Sequence, residues 1–218
     1  MKRYTIAFLA VLLSGCGLLE GLKCKETRAY LAEDITQGKI RRVVVLPLMN
    51  PSRYSDAGPL VTETLCGELR KAGVFHIQPV SQWQLAEMVH QTGVVLPRAP
   101  NDHELGLIAK ATGADAIVVG TVTQYMPYRP MVLGIRVRMV RAADKEVIWA
   151  VDEVYDSSLE EVVNLTAAYS RKVKNVGKWT EGWYDWEKAL VSMRYFTQFV
   201  CYEVAKTVKG TGPSAPRS

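Results

Sequence analysis

The sequence predicts an α/β (α+β) domain built on a mixed sheet of about five strands. Three observations carry the prediction. Between residues 39 and 155, short β-branched runs bounded by turn residues alternate with apolar stripes at helical spacing. The last three of these runs follow one another through connections too short for parallel crossovers, so they form an antiparallel meander. Apolar residues make up 48% of the chain and charged residues 22%, the balance of a chain that buries a core rather than one that stays disordered.

The elements follow in order. Val43, Val44, Val45 and Leu46, ended by Pro47, read as a buried strand after the basic stretch 39–42. Residues 49–59 carry Asn50-Pro51-Ser52 and Asp56-Ala57-Gly58-Pro59, which is turn chemistry. Val61, Leu65 and Leu69 then share one helical stripe that Gly73 stops. The second strand covers 74–80. Ser81 with Gln84 three residues later is a capping-box signature opening a helix with Leu85, Met88 and Val89 on its apolar side. After a loop over 93–100, Asn101 or Asp102 caps a third helix in which Leu105, Ile108, Ala109 and Thr112 face inward and Gly113 ends the run. Residues 116–123 are the strongest strand signal. A proline-bounded turn over 126–130 leads into a strand that alternates Ile135, Val137 and Met139 against Arg136 and Arg138. Residues 143–145 turn the chain into a last strand from Val147 towards Tyr155. The order β-α-β-α-α-β-β-β implies helices packed on one side, and Arg136 and Arg138 imply that part of the other side is wet or meets a partner.

Beyond Asp156 the chain reads as a helical extension over 156–209, with Leu159, Val162, Val163 and Tyr169 in its first helix. A basic patch (Arg171, Lys172, Lys174, Lys178) precedes an aromatic cluster of Trp179, Trp183, Tyr184 and Trp186. These aromatics can pack the extension onto the domain, form a contact with another protein, or meet lipid or glycan. A long amphipathic helix through Leu190, Met193, Phe196, Phe199, Val200 and Val204 follows, and 210–218 is a Gly/Pro/Ser tail.

The first residues carry a separate message. Lys2 and Arg3 precede an apolar stretch from Tyr4 to Leu12, too short to span a bilayer, and no other stretch of the sequence is apolar for long enough to cross one. Leu13-Ser14-Gly15-Cys16 closes it and resembles the bacterial lipobox, at which a diacylglyceryl group is attached to the cysteine before cleavage. That resemblance implies a signal peptide over 1–15, lipidation at Cys16 and attachment to a membrane through the acyl chains; residues 16–38 then read as a lipidated tether followed by a short helical stretch. Gly17, where retained lipoproteins carry Asp, points to the outer membrane, periplasmic face.

The formal net charge of +5 falls to +3 once Lys2 and Arg3 are removed, too mild and too dispersed for a nucleic-acid binder. Three cysteines remain beside Cys16, and Cys24 with Cys201 is the pair considered for a disulfide, while Cys66 reads as a small buried apolar residue.

The strand at 42–48, the helix end Glu68-Leu69-Arg70-Lys71-Ala72-Gly73, the run from Ala111 through Gly113, Asp115 and Gly120 to Val122, and the pair around Ala142, Lys145 and Trp149 together resemble envelope proteins with a TolB N-terminal-like domain. The group includes curli-secretion channel lipoproteins, penicillin-binding-protein activators and the Pel polysaccharide export lipoprotein. The resemblance covers 39–155 and implies the fold. The five-residue turn at 126–130 leaves no room for the strand extensions of a pore, and 17–38 is too short for a long Pro/Gln leash, so the compact export lipoprotein is the nearest fit. The extension after Asp156 has no counterpart in it.

The sequence holds no nucleophile elbow, phosphate-binding loop or dinucleotide fingerprint, and no cofactor is expected. His103 between Asp102 and Glu104 sits at a helix start, where Asp102 caps and Glu104 complements the dipole, so no metal is expected there. Asp152/Glu153 and Glu160/Glu161 are adjacent pairs that point in different directions. The sequence therefore leads to a non-enzymatic, lipid-anchored scaffold or accessory subunit with envelope protein partners, possible as a homo-oligomer. The alternative is a periplasmic glycan- or peptidoglycan-binding module.

Overall fold

The computed structural model describes residues 27–92, 99–173 and 185–210. Its centre is a six-stranded mixed sheet in the order β1-β6-β5-β4-β2-β3. The strands are β1 (Ala29–Leu31), β2 (Arg42–Val45), β3 (His76–Pro79), β4 (Ala116–Met126), β5 (Val132–Arg141) and β6 (Val147–Asp156). β2 lies parallel to β3 and β4, while β4, β5 and β6 form the expected antiparallel meander. The sixth strand comes from β1, inside the segment read as a tether. Ala29 pairs with Val151 and Leu31 with Trp149, so the chain joins the sheet as an edge before residue 39. A short 3-10 helix (Glu33–Gln37), ended by Gly38 at φ 70°, turns it towards β2.

The helices are α1 (Ala57–Ala72), α2 (Gln82–Thr92), α3 (Asp102–Thr112), α4 (Glu160–Val173), α5 (Asp185–Lys188) and α6 (Met193–Lys206). Val61, Leu65 and Leu69 of α1 are fully buried, and Gly73 closes the helix at φ 72°. Ser81 and Gln84 exchange the two bonds of a capping box at α2. At α3 the cap is Asn101: its side chain accepts from the Glu104 N–H, and Glu104 accepts from the Asn101 N–H. Asp102, the other candidate for the cap, lies one residue inside the helix and is exposed.

Helices cover both faces of the sheet, which corrects the one-sided packing read from element order. Val43, Val45, Val118, Ile135, Val137 and Met139 face a large core shared with α1, α4 and α6. Val44, Leu46, Ile117 and Val119 point the other way and meet Leu85 of α2 and Leu105 and Ile108 of α3. Strand alternation explains both: β2 and β4 lie mid-sheet with both sets of side chains covered, so they are continuous apolar runs. β5 alternates through Met139 with Arg136 and Arg138 uncovered, and its Val140 joins the second core.

α6 lies on α1 and completes the larger core with Phe196, Phe199, Val200 and Val204, none of them measurably exposed. Phe199 meets Tyr155 edge-on at 5.8 Å and Tyr169 of α4 at 5.8 Å. Glu68 and Glu203 are also buried, each paired with the lysine three residues on in its own helix, Lys71 and Lys206. The extension is thus part of the core. Leu159, placed with the first apolar stripe of the extension, precedes α4 and is exposed.

Candidate functional site

The open half of the second sheet face forms a groove. Two cross-strand rows make its floor. In one, Tyr30 lies opposite Ala150, Ala150 opposite Arg138, and Arg138 opposite Val119. In the other, Asp152 lies opposite Arg136 and Arg136 opposite Thr121. Arg28 joins at the β1 edge, and Leu46, Pro47, Leu85 and Pro100 supply an apolar wall around a volume of about 710 Å³. α2 and α3 form one core with β2, β4 and Val140 of β5, while Arg136 and Arg138 further along β5 stay exposed, which leaves the floor open there.

The electrostatics follow from the strand pattern. Arg136 and Arg138 are both exposed because their neighbours at 135, 137 and 139 take the core side. Arg136 Nε donates to Asp152 Oδ2 at 2.7 Å, with both side chains more than half exposed, a pair worth at most about 1 kcal/mol. Among the described residues no carboxylate pairs with Arg138. The groove therefore presents guanidinium groups beside apolar surface, chemistry suited to an anionic, partly apolar partner segment.

Of the residues proposed from sequence, Cys16, Lys174, Lys178, Trp179, Trp183 and Tyr184 lie outside the described residues. Trp186 falls in α5, its side chain not described, and Lys172 is exposed in the last turn of α4. Arg136 and Arg138, read as marking an open sheet face, do mark it. Arg28 and Tyr30 went unnoticed. Their signal was the alternation of Arg28 and Tyr30 with Ala29 and Leu31, too short to separate from a coil.

The described cysteines are poor nucleophiles. Burial pushes the Cys66 thiol up to about 11 and raises that of Cys201 well above its usual value. Cys201 is a free thiol, weakly bonded to the Val61 carbonyl at 3.8 Å, while Cys24 lies outside the described residues. His76 is exposed at the start of edge strand β3, and His103 is exposed at the start of α3.

The fold and groove define a class: a mixed α/β domain with one sheet face sealed by helices and half of the other left open and cationic. No protein-family model matches the chain, and no curated protein matches it. Among solved structures it is similar to the PelC dodecamer from Paraburkholderia phytofirmans (TM-score 0.41, 15% identity, 64% of this chain and 92% of that one). It is also similar to lipoprotein GNA1162 from Neisseria meningitidis (TM-score 0.44, 18% identity, 63% and 99%) and to the LpoB C-terminal domain from Salmonella enterica (TM-score 0.41, 20% identity, 53% and 83%). PelC and LpoB belong to the lipoprotein group that residues 39–155 resemble. At these TM-scores the likenesses assign no activity or partner to this chain.

Proposed function

We propose that this chain is a non-enzymatic accessory lipoprotein of the bacterial envelope, held at the periplasmic face of the outer membrane by acyl groups on Cys16. Its groove receives an acidic segment of an envelope protein in a secretion, polysaccharide export or cell-wall synthesis assembly. The observation that carries this reading is the open floor on which Arg28, Arg136 and Arg138 stand beside apolar walls. Edge pairing is a poorer route to assembly: β1 has three residues, and β3 has four and ends in Pro79. The aromatic segment with Trp179, Trp183, Tyr184 and Trp186, and with Lys172, Lys174 and Lys178, is proposed as a second contact, with a partner or a further copy of this chain.

The half-exposed ring of Tyr30 on the groove floor favours one second reading, a carboxylate-bearing peptidoglycan fragment stacked there. The test is crosslinking in intact membranes of wild type and the Arg136→Glu/Arg138→Glu variant. Loss of the crosslinked protein at an unchanged melting temperature supports the partner reading. Unchanged capture refutes it, and a variant that loses bound saccharide instead supports the glycan reading. Cys16→Ser is expected to accumulate as unprocessed, unacylated precursor, and normal processing of that variant would remove the anchor.

A further inference from the structure

We propose that one end of this sheet, the end bearing the β4–β5 hairpin tip, lies against the bilayer, with Tyr128, Met126, Leu159 and Val191 seated at the lipid–water interface. The proposal rests on the acylation of Cys16 and deepens it by giving the domain an orientation.

The strand register selects the end. β1 runs antiparallel to β6, so the chain enters the fold beside the C-terminal part of β6. There the Arg28 N–H donates to Glu153 Oε1 at 3.2 Å, and the Thr27 and Tyr155 hydroxyls bond to one another. The same end holds the hairpin tip, because Val132 pairs with both Met126 and Asp156. Met131 and Ser157 exchange two hydrogen bonds across the tip and the β6–α4 turn. Arg129 Nε donates to the Leu190 carbonyl at 2.8 Å, which ties the turn before α6 to the same place.

The side chains at this end are unusual for a surface facing water. Seven large hydrophobic residues are exposed among those described, and five belong here: Met126, Tyr128, Leu159, Val191 and Tyr195. Tyr128 is 70% exposed at the tip itself. Clustered exposed apolar residues mark an interaction surface, whereas single ones need no explanation. Aromatic rings favour the headgroup level of a bilayer, and long basic side chains reach it with their stems in apolar surroundings. Arg129 and Arg194 are exposed at this end, as are Glu160 and Glu187. The opposite end carries the β5–β6 turn, where Ala143 and Asp144 are exposed; of the two remaining exposed large hydrophobics among the described residues, Tyr30 lies on the groove floor, and Trp83 stands alone on α2, near Ala111 and Thr112.

Chain length points the same way. Eleven residue steps separate Cys16 from Thr27, a span of at most about 40 Å. β4 alone has eleven residues, a length of about 36 Å at the usual rise per residue. For the far end to face the membrane, the chain from Cys16 would have to run almost fully extended along the entire sheet.

The experiment uses the full-length, acylated protein in vesicles of phosphatidylethanolamine and phosphatidylglycerol doped with a lipid carrying a nitroxide at its headgroup. In a Cys24→Ser background, Tyr128→Cys and Ala143→Cys each receive an environment-sensitive fluorophore; Cys66 and Cys201 are buried and stay unlabelled. The expected result is a blue-shifted, strongly quenched label at 128 and an unshifted, unquenched label at 143. Equal quenching at both sites, or quenching only at 143, overturns the orientation while leaving the anchor intact. Intact-mass measurement of the N-terminus separates the two ideas: absence of acyl groups on Cys16 overturns the anchor and this orientation together.

Discussion

Thr207 and Thr197 show how one hydroxyl can stabilise the fold while its neighbour costs it. The Trp149 indole N–H, buried in the core, donates to Thr207 Oγ1 at 2.8 Å, and Thr207 donates onward to the Val204 carbonyl at 2.7 Å. Thr207→Val leaves that indole unpaired in an apolar site and is expected to cost about 1–3 kcal/mol. Thr197 is equally buried, yet its Oγ1 has no hydrogen-bond partner among the described residues. Thr197→Val is expected to be neutral or to stabilise by up to about 1 kcal/mol. Urea titrations of the two variants therefore move in different directions from wild type.

A pH dependence also belongs to single residues. The Arg42 backbone N–H at 2.8 Å, helped by that of Arg41 at 2.9 Å and by both guanidinium groups, holds the Asp115 carboxyl below the usual range. A depressed carboxylate contributes stability above its unfolded pKa of about 4, and that contribution is lost as pH falls through the folded value. Asp115→Asn should lower stability at pH 7 and flatten the decline in acid, read as urea midpoints against pH. An Asn variant with the wild-type slope would show that another carboxylate governs it.

At the scale of elements, the β4–β5 hairpin is held by close backbone approach as much as by side chains. A Cβ on Gly120 would lie 2.4 Å from the Arg136 carbonyl oxygen and 2.7 Å from Val137 Cγ1. Gly120→Ala must push β4 from β5 beneath the groove floor, at an expected cost of about 1–3 kcal/mol. Differential scanning calorimetry checks this, and a melt within error of wild type would mean that the strands part at little cost. The helices are better read from sequence than this hairpin's tight spot. Gly73 and Gly113 end α1 and α3 in the left-handed conformation, and the Ser81–Gln84 box opens α2, because caps depend on three or four neighbouring residues. The choice between the two candidate caps at α3 has a local cause. Asn101 and Asp102 are both good caps, and the Glu three residues after Asn101 decides between them by closing the box.

For the whole molecule, the decisive contact is α6 against α1. Phe196, Phe199, Val200 and Val204 seal a core that α1 and the sheet leave open. A chain ended after Asp156 would expose that apolar surface, so we expect it to be insoluble or to bind a hydrophobic dye as a loosened state. A soluble, cooperatively melting 1–156 fragment would mean that the extension only decorates the domain.

Sequence by itself determined the local terms: the strands at β2 and β4 to β6, the stripe of α1, the stops at glycine, and the Arg136/Arg138 alternation that marks an open face. Each is written within a few residues of itself, in hydrophobic period and turn chemistry. The tertiary structure alone decided which element covers which surface. It paired Ala29–Leu31 with residues 149–151, laid α2 and α3 on the second face, and brought Arg28 and Tyr30 beside Arg136 and Arg138. An apolar stripe declares that it must be buried, but its partner lies more than a hundred residues away and is chosen by the packing of the whole chain.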